Sequence, residues 1–176
     1  MDGRAEITPE SIRRLCAQVR TLAAVHDILT QEAKEDGQAH YVSARAVLEK
    51  LIPMLQETAT NREIRADLEE IRLPARQGSS LALVVNELIS NGLKYGEGDV
   101  EVTLARDGDK TILQVRDNGP GFPCGFSASK AANTGLELVD GLSRWDLGAL
   151  TRYENHPNGG ACVTVEIPFQ KSFEPN

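Results

Sequence analysis

Three short stretches carry residue types that could do chemistry. The first is NELISNGLKYG, residues 86–96. On a helix, Glu87, Asn91 and Lys94 are spaced i, i+4, i+7 and share one face. A carboxylate, an amide and an ammonium in one row suit a phosphate and a hydrated Mg²⁺. Mg²⁺ prefers oxygen ligands and often keeps several waters, so one amide oxygen can be its only protein ligand. A solvated helix face with ordinary i, i+4 spacing fits the same residues. The second stretch is VRDNGPGFP, residues 115–123, in which Asp117 ends a strand and Gly119 and Gly121 follow at once. Glycines let a backbone turn sharply and approach a ligand closely. A buried carboxylate there can accept a hydrogen bond from an exocyclic amine; a plain Asn-Gly turn is the alternative. The third is NTGLELV, where Gly135 opens a helix whose free N–H groups can face an anion.

These residues need elements to hold them. Gly78-Ser79-Ser80 opens the clearest helix of the chain, which buries Leu81, Val85, Leu88 and Ile89 and stops at Gly96. Residues 99–106 alternate as a strand, with Val100, Val102 and Leu104 on one face, and 107–110 form a hairpin turn into a second strand at 111–116. A helix follows at about 135–144, with Trp145 packing at its end, and two strands at about 150–154 and 161–167 are joined by HPNGG. Upstream, Ser43 caps a helix through about Glu57, in which Pro53 predicts a kink or an early end. Ile64, Ala66 and Leu68 alternate with charges as a further strand. At the start, Thr8 and Pro9 open a helix with apolar or near-apolar residues at Ile12, Leu15, Val19, Leu22, His26 and Leu29, a heptad seam that must be buried against a partner. The pattern predicts an α+β two-layer sandwich preceded by one helix.

Composition narrows the function. The 176 residues are 40% hydrophobic, enough for one cored domain, and the net charge is −7 with no dense Lys/Arg block, which argues against a nucleic-acid partner. No apolar run approaches a membrane span, and MDGRAEITPE is no secretory signal. Cys16, Cys124 and Cys162 are scattered and odd in number, which supports neither a disulfide framework nor a zinc site. A cytoplasmic setting is expected.

Order and spacing add more. NELxxNxxKY, then DxGxG, then TGLxLV, then GG-x-x-x-x-VEIP closely resembles the ATP-binding domain of bacterial sensor histidine kinases, in the Bergerat-fold superfamily that includes DNA gyrase. The resemblance covers about Tyr41 to Pro168. The stretch SIRRLCAQVRTLAAVHDILT is similar to the second dimerisation helix of one histidine-kinase subgroup. The division expected is therefore a dimerisation-type helix at 1–36 and an ATP-binding catalytic domain at 41–170. The resemblance implies ATP and Mg²⁺ as cofactors, with Asn91 as the metal ligand and Glu87 as the catalytic general-base or water-ordering position. Asn86 matches a neighbouring polar position, Lys94 a phosphate contact, and Tyr95 a place beside adenine or ribose. Asp117 would bind the adenine amine in a pocket shaped by Gly119 and Gly121, and Gly135 with Leu136 would lie beside the phosphates. It also implies a homodimer through the first helix, and a response regulator or a phosphoacceptor histidine domain as partner.

Three departures stand out. The glycine box has Asn133 where another glycine is usual; the lid segment between Gly121 and Gly135 is short; and no phosphoacceptor helix with a motif like HRxKN precedes the first helix. The chain is then a piece of a longer protein or acts in trans. HDILT superficially matches a His-acid-x-x-Thr acceptor pattern, so His26 is either a seam residue or a phosphoacceptor. The competing functions are a degenerate adaptor or phosphotransfer module with the same fold, and an anti-sigma-factor serine kinase.

Overall fold

A computed structural model describes residues 9–35, 41–59, 61–128 and 134–169, excepting the side chains at 10, 11, 13–15, 17, 18, 29, 31–35 and 134. The order of elements is α1 (Pro9–Glu35), β1 (Tyr41–Ser43), α2 (Ala44–Gln56), β2 (Ile64–Leu68), β3 (Arg72–Pro74), α3 (Ala75–Tyr95), β4 (Val100–Asp107), β5 (Lys110–Asp117), α4 (Thr134–Trp145), β6 (Leu150–Asn155) and β7 (Ala161–Pro168). Thr8, Gly37, His40 and Asn133 lie outside the described residues, as do the side chains of Leu15 and Leu29.

Alternation of apolar and polar residues makes the main sheet one-sided. Its strand order is β2-β4-β5-β7-β6. Val102 pairs with Val115 and Leu104 with Leu113, while Leu113 faces Val165 and Val115 faces Val163. All six are buried and form the sheet half of the core. On the other face, Lys110 and Arg152 pair with Glu166, and Arg116 lies 3.7 Å from Glu101. The row 111, 113, 115, 117 of β5 is buried to its end, so the period of two carries Asp117 onto the core side.

The helices cover the apolar face. α3 packs against β4, β5, α1, α2 and α4. It is therefore buried nearly all round from Gln77 to Ile89. The α+β two-layer sandwich is thus the observed architecture, with α1 lying against α2 and α3. Val25 and Ile28 of α1 belong to the same buried cluster as Leu81 and Val85.

Four local details differ from the sequence reading. α3 begins at Ala75 rather than at Gly78-Ser79-Ser80. Pro74 closes the β1–β3 pairing and holds its φ at −51°, so the helix starts directly behind it. α2 runs through Pro53 to Gln56: the proline removes one bond, to the carbonyl four residues back, and the helix ends within a turn of it. Trp145 is 78% exposed rather than packed. Asp146 takes the inward position, accepting bonds from Arg76 and from Ser80 Oγ, which turns Trp145 outward. Those same partners hold the Asp146 carboxyl below the usual carboxylate range, Arg76 contributing most. Finally, β1 and β3 form a separate two-stranded sheet, and β2 pairs with β4 in parallel across the α3 crossover. Three-residue strands carry too little periodicity to be read from sequence.

Candidate functional site

The C-terminal half of α3, the end of β5, the loop after it and the start of β7 enclose a cavity of about 440 Å³. Its walls are mainly apolar: Leu88, Val115, Phe122, Phe126, Leu136 and Val163. Asp117 stands among them, 7% exposed. Both hydrogen bonds to its carboxylate fall on Oδ1, from the Gly119 N–H at 2.8 Å and the Ala161 N–H at 3.4 Å. One carboxylate oxygen is therefore fixed as an acceptor by the backbone.

The space around Asp117 exists because its neighbours lack side chains. A Cβ on Gly96 would lie 2.4 Å from the Asp117 Cγ and 2.6 Å from Oδ2, and one on Gly119 would lie 2.9 Å from Oδ1. Gly160, at φ +92°, passes so close that a Cβ would sit 1.8 Å from the Asp117 carbonyl oxygen. These glycines let α3, β5 and β7 converge on one carboxylate. The end of α3 is held from outside: the Arg62 guanidinium donates to the carbonyls of Leu93 at 2.9 Å and Gly96 at 3.2 Å, and to that of Gly98. This occupies carbonyls that have no intrahelical partner.

Asn91 lines the same cavity, and its Nδ2 is buried without a hydrogen-bond partner. A buried amide with an unused donor is costly unless something else meets it, so the side chain is suited to a ligand in the cavity. Among the described residues no group of three or more His, Cys, Asp or Glu could hold a metal ion. A single amide oxygen fits Mg²⁺, which keeps waters and takes other oxygens from a phosphate, and fits poorly the metals that demand a protein cage.

Of the residues singled out from sequence, Asn91, Tyr95, Asp117, Gly121 and Leu136 line the cavity. Tyr95 is 59% exposed, at the rim, with the Lys94 ammonium 5.0 Å from its ring centroid. Gly119 and Gly135 are buried and outside the lining, as are Glu87 and Asn86, each 3% exposed and one turn back on α3. Asn86 Oδ1 accepts a bond from Thr21 Oγ1 of α1 at 3.0 Å. Glu87, Asn91 and Lys94 thus run from buried to exposed along the helix rather than sharing one open face. Two cavity features went unread in the sequence: Gly96 as space for Asp117, and the aromatic pair Phe122 and Phe126. The glycine that ends NELISNGLKYG was the available signal for the first.

Behind the cavity an aromatic group joins three elements. Phe122 and Phe126 stack with centroids 4.3 Å apart, and Tyr153 of β6 meets Phe122 edge-on at 6.0 Å. The Tyr153 hydroxyl donates to Asp140 Oδ1 of α4 at 2.7 Å. Burial, then the bond to Asp140, push this phenol far above its ordinary value, so it stays a neutral donor. Burial also raises the Cys162 thiol, which is a packing group rather than a nucleophile.

Comparison with known proteins agrees with this geometry. A family model described as histidine kinase-, DNA gyrase B-, and HSP90-like ATPase matches residues 77–171. Sensor histidine kinase PdtaS of Mycolicibacterium smegmatis is 27% identical over 169 residues, which span 91% of this chain and 32% of that protein. Sensor histidine kinase component HK1 of Mycobacterium tuberculosis is 30% identical over 138 residues, 67% of this chain and 81% of that one. Among solved structures, the histidine kinase domain from the Erythrobacter litoralis EL346 blue-light activated histidine kinase superposes with a TM-score of 0.73 at 19% identity, covering 86% of this chain and 74% of that one. The chain spans about a third of the length of the PdtaS kinases it matches.

Proposed function

Because the chain belongs to the family of histidine kinase-, DNA gyrase B-, and HSP90-like ATPases, we propose that it binds ATP with Mg²⁺ and serves as the catalytic domain of a sensor histidine kinase. In this reading it passes the γ-phosphoryl group to a protein histidine in two-component signalling. The observation that carries it is the buried Asp117 carboxylate, with one oxygen fixed by backbone N–H groups, at the wall of an apolar cavity that Asn91 shares.

The chain's own residues divide the work. Asp117 accepts from the adenine amine, and Leu88, Val115 and Val163 bury the base. Tyr95 lies beside adenine or ribose, and Lys94 reaches the phosphates. The first turn of α4, at Gly135 and Leu136, offers backbone N–H groups to the same phosphates. Asn91 Oδ1 is the protein ligand for Mg²⁺, and Glu87, one turn earlier, orders water or acts as base. Bound Mg²⁺ would neutralise charge on the phosphate oxygens, and the protein contributes mainly positioning. Response regulator and phosphoacceptor domain are the protein partners of this reading. Among the described residues no helix is long and apolar enough to cross a membrane.

Two experiments test this. Calorimetric titration with ATP and ADP, with and without Mg²⁺, should give binding in the parent chain. Labelled phosphate should then move to a histidine-bearing acceptor domain supplied in trans; binding without transfer would favour the adaptor reading, and transfer to serine the serine-kinase reading. Asn91→Ala should keep the fold and abolish the Mg²⁺-dependent part of nucleotide affinity. An unchanged Mg²⁺ dependence in that variant would assign the metal to another residue.

The first helix supports a homodimer. Its inward stripe is Thr21, Val25 and Ile28, buried against the rest of the chain. That stripe is not the expected seam: Ile12, Val19 and Leu22 are each more than half exposed, and the His26 side chain is 80% exposed. An apolar stripe left open beside a docked one suits a second helix. Val19→Glu with Leu22→Glu should convert a dimer to monomers with nucleotide affinity unchanged. Sedimentation of the parent as a monomer at high micromolar concentration would refute the dimer.

A further inference from the structure

The last residue of β6 makes a contact that neither the cavity lining nor the motifs account for. Asn155 reaches across to the loop after β5 and pairs with both backbone groups of Phe122. The Phe122 N–H donates to Asn155 Oδ1 at 2.6 Å, and Asn155 Nδ2 donates to the Phe122 carbonyl at 3.0 Å. One amide thus imitates a strand neighbour for a residue that lies outside any sheet. Room for it comes from Gly121, at φ +81°, where a Cβ would lie 2.5 Å from Asn155 Oδ1. Asn155 itself is held by the β6–β7 pairing, opposite Ala161, whose N–H contacts Asp117. The Phe122 ring, stacked on Phe126, forms one wall of the cavity.

We propose that Asn155 is a positioning residue for the nucleotide: it clamps the backbone of Phe122 and so holds the Phe122–Phe126 wall against the base. This rests on the nucleotide reading of the cavity. Asn155 is not part of the cavity lining itself and acts through Phe122. Two hydrogen bonds on one residue leave the aromatic wall with a fixed distance from Asp117 across the site. Without them Phe122 keeps its packing on the core and its ring contacts to Phe126 and Tyr153 but loses the hold on its backbone. The base should then escape faster, with the chemistry of transfer unaltered.

The test uses the whole chain and three variants: Asn155→Ala, Asn155→Asp and Tyr153→Phe. Amide hydrogen exchange at Phe122 is read without nucleotide, and the dissociation rate of ATP is read separately. Asn155→Ala should speed Phe122 exchange and ATP dissociation about tenfold each, at an unchanged melting temperature. Asn155→Asp keeps the acceptor for the Phe122 N–H and loses the donor, so it should restore the exchange protection but only part of the slow dissociation. Tyr153→Phe, which loses only the bond to Asp140, should leave Phe122 exchange at the parent's rate. Equal Phe122 exchange in parent and Asn155→Ala would overturn the clamp, whatever the nucleotide does. Faster exchange with an unchanged dissociation rate would overturn its role in binding. A parent chain that binds no nucleotide would instead overturn the reading of the cavity, while the exchange result still decides the clamp.

Discussion

Asp117→Asn should lower nucleotide affinity by about 10- to 150-fold, the equivalent of about 1.5–3 kcal/mol for a lost charge-assisted hydrogen bond. The structure makes this isosteric change more informative than it usually is. The N–H groups of Gly119 and Ala161 both point at Oδ1. An asparagine side chain keeps those bonds only by leaving its carbonyl oxygen there. Its NH₂ group then occupies the place of Oδ2, and a donor meets the donor of an exocyclic amine. The fold should survive, since the residue keeps its volume and its two backbone partners. Calorimetry on parent and variant checks the prediction, and equal affinities would remove Asp117 from the base-recognition role. Because the cavity would still be intact, such a result would not by itself argue against nucleotide binding.

Gly160→Ala should destabilise the chain by about 3–5 kcal/mol, from strain at a positive φ together with an overlap that only backbone movement can relieve. Gly160 lies at φ +92° with a Cβ position 1.8 Å from the Asp117 carbonyl oxygen. That loss is a large part of the ~5–15 kcal/mol typical of a domain. It corresponds to a fall of about 6–20 °C in melting temperature for a chain of this size. Gly159→Ala is the matched control. It sits at φ +90°, so it carries the same backbone strain, but its Cβ would meet only the Gly119 carbonyl oxygen at 4.0 Å. Its expected cost is about 1–2 kcal/mol. Thermal melts that place both variants together would show that the β6–β7 hairpin shifts freely away from β5, and would contradict the close approach. The prediction also links stability to function, because the same approach delivers the Ala161 N–H to Asp117.

Much of this was present in local order. NELISNGLKYG marked the helix, and residues 111–116 marked the strand that Asp117 ends; side chains on a strand alternate by geometry alone, and in the structure that alternation puts Asp117 on the buried face. The hairpin at 107–110 and the cap at Ser43 followed from turn and cap chemistry, and Ser43 Oγ does accept from the Ala46 N–H at 3.0 Å. These features depend on neighbours within a few positions, which is the range a sequence pattern encodes. What the chain does not encode locally is which side of a helix another helix will cover. The face of α1 that docks on its own chain went unread for this reason: Thr21, Val25 and Ile28 pack inward, while the heptad stripe at Ile12, Val19 and Leu22 stays exposed.

The same limit governs the site. The order of motifs was enough to suggest the family, because four spaced signatures are collectively specific. The bond that Asn86 Oδ1 accepts comes from Thr21, 65 positions away. The need for glycine at 96 and 160 came from a carboxylate and a carbonyl on a strand between them, and the clamp on Phe122 from a residue 33 positions later. Sequence alone determined the longer elements and the residue types they carry, since propensity, period and turn type act through bonded neighbours. Only the tertiary structure decided which side chains meet, since hydrogen bonds and steric exclusion between distant segments depend on how those segments converge.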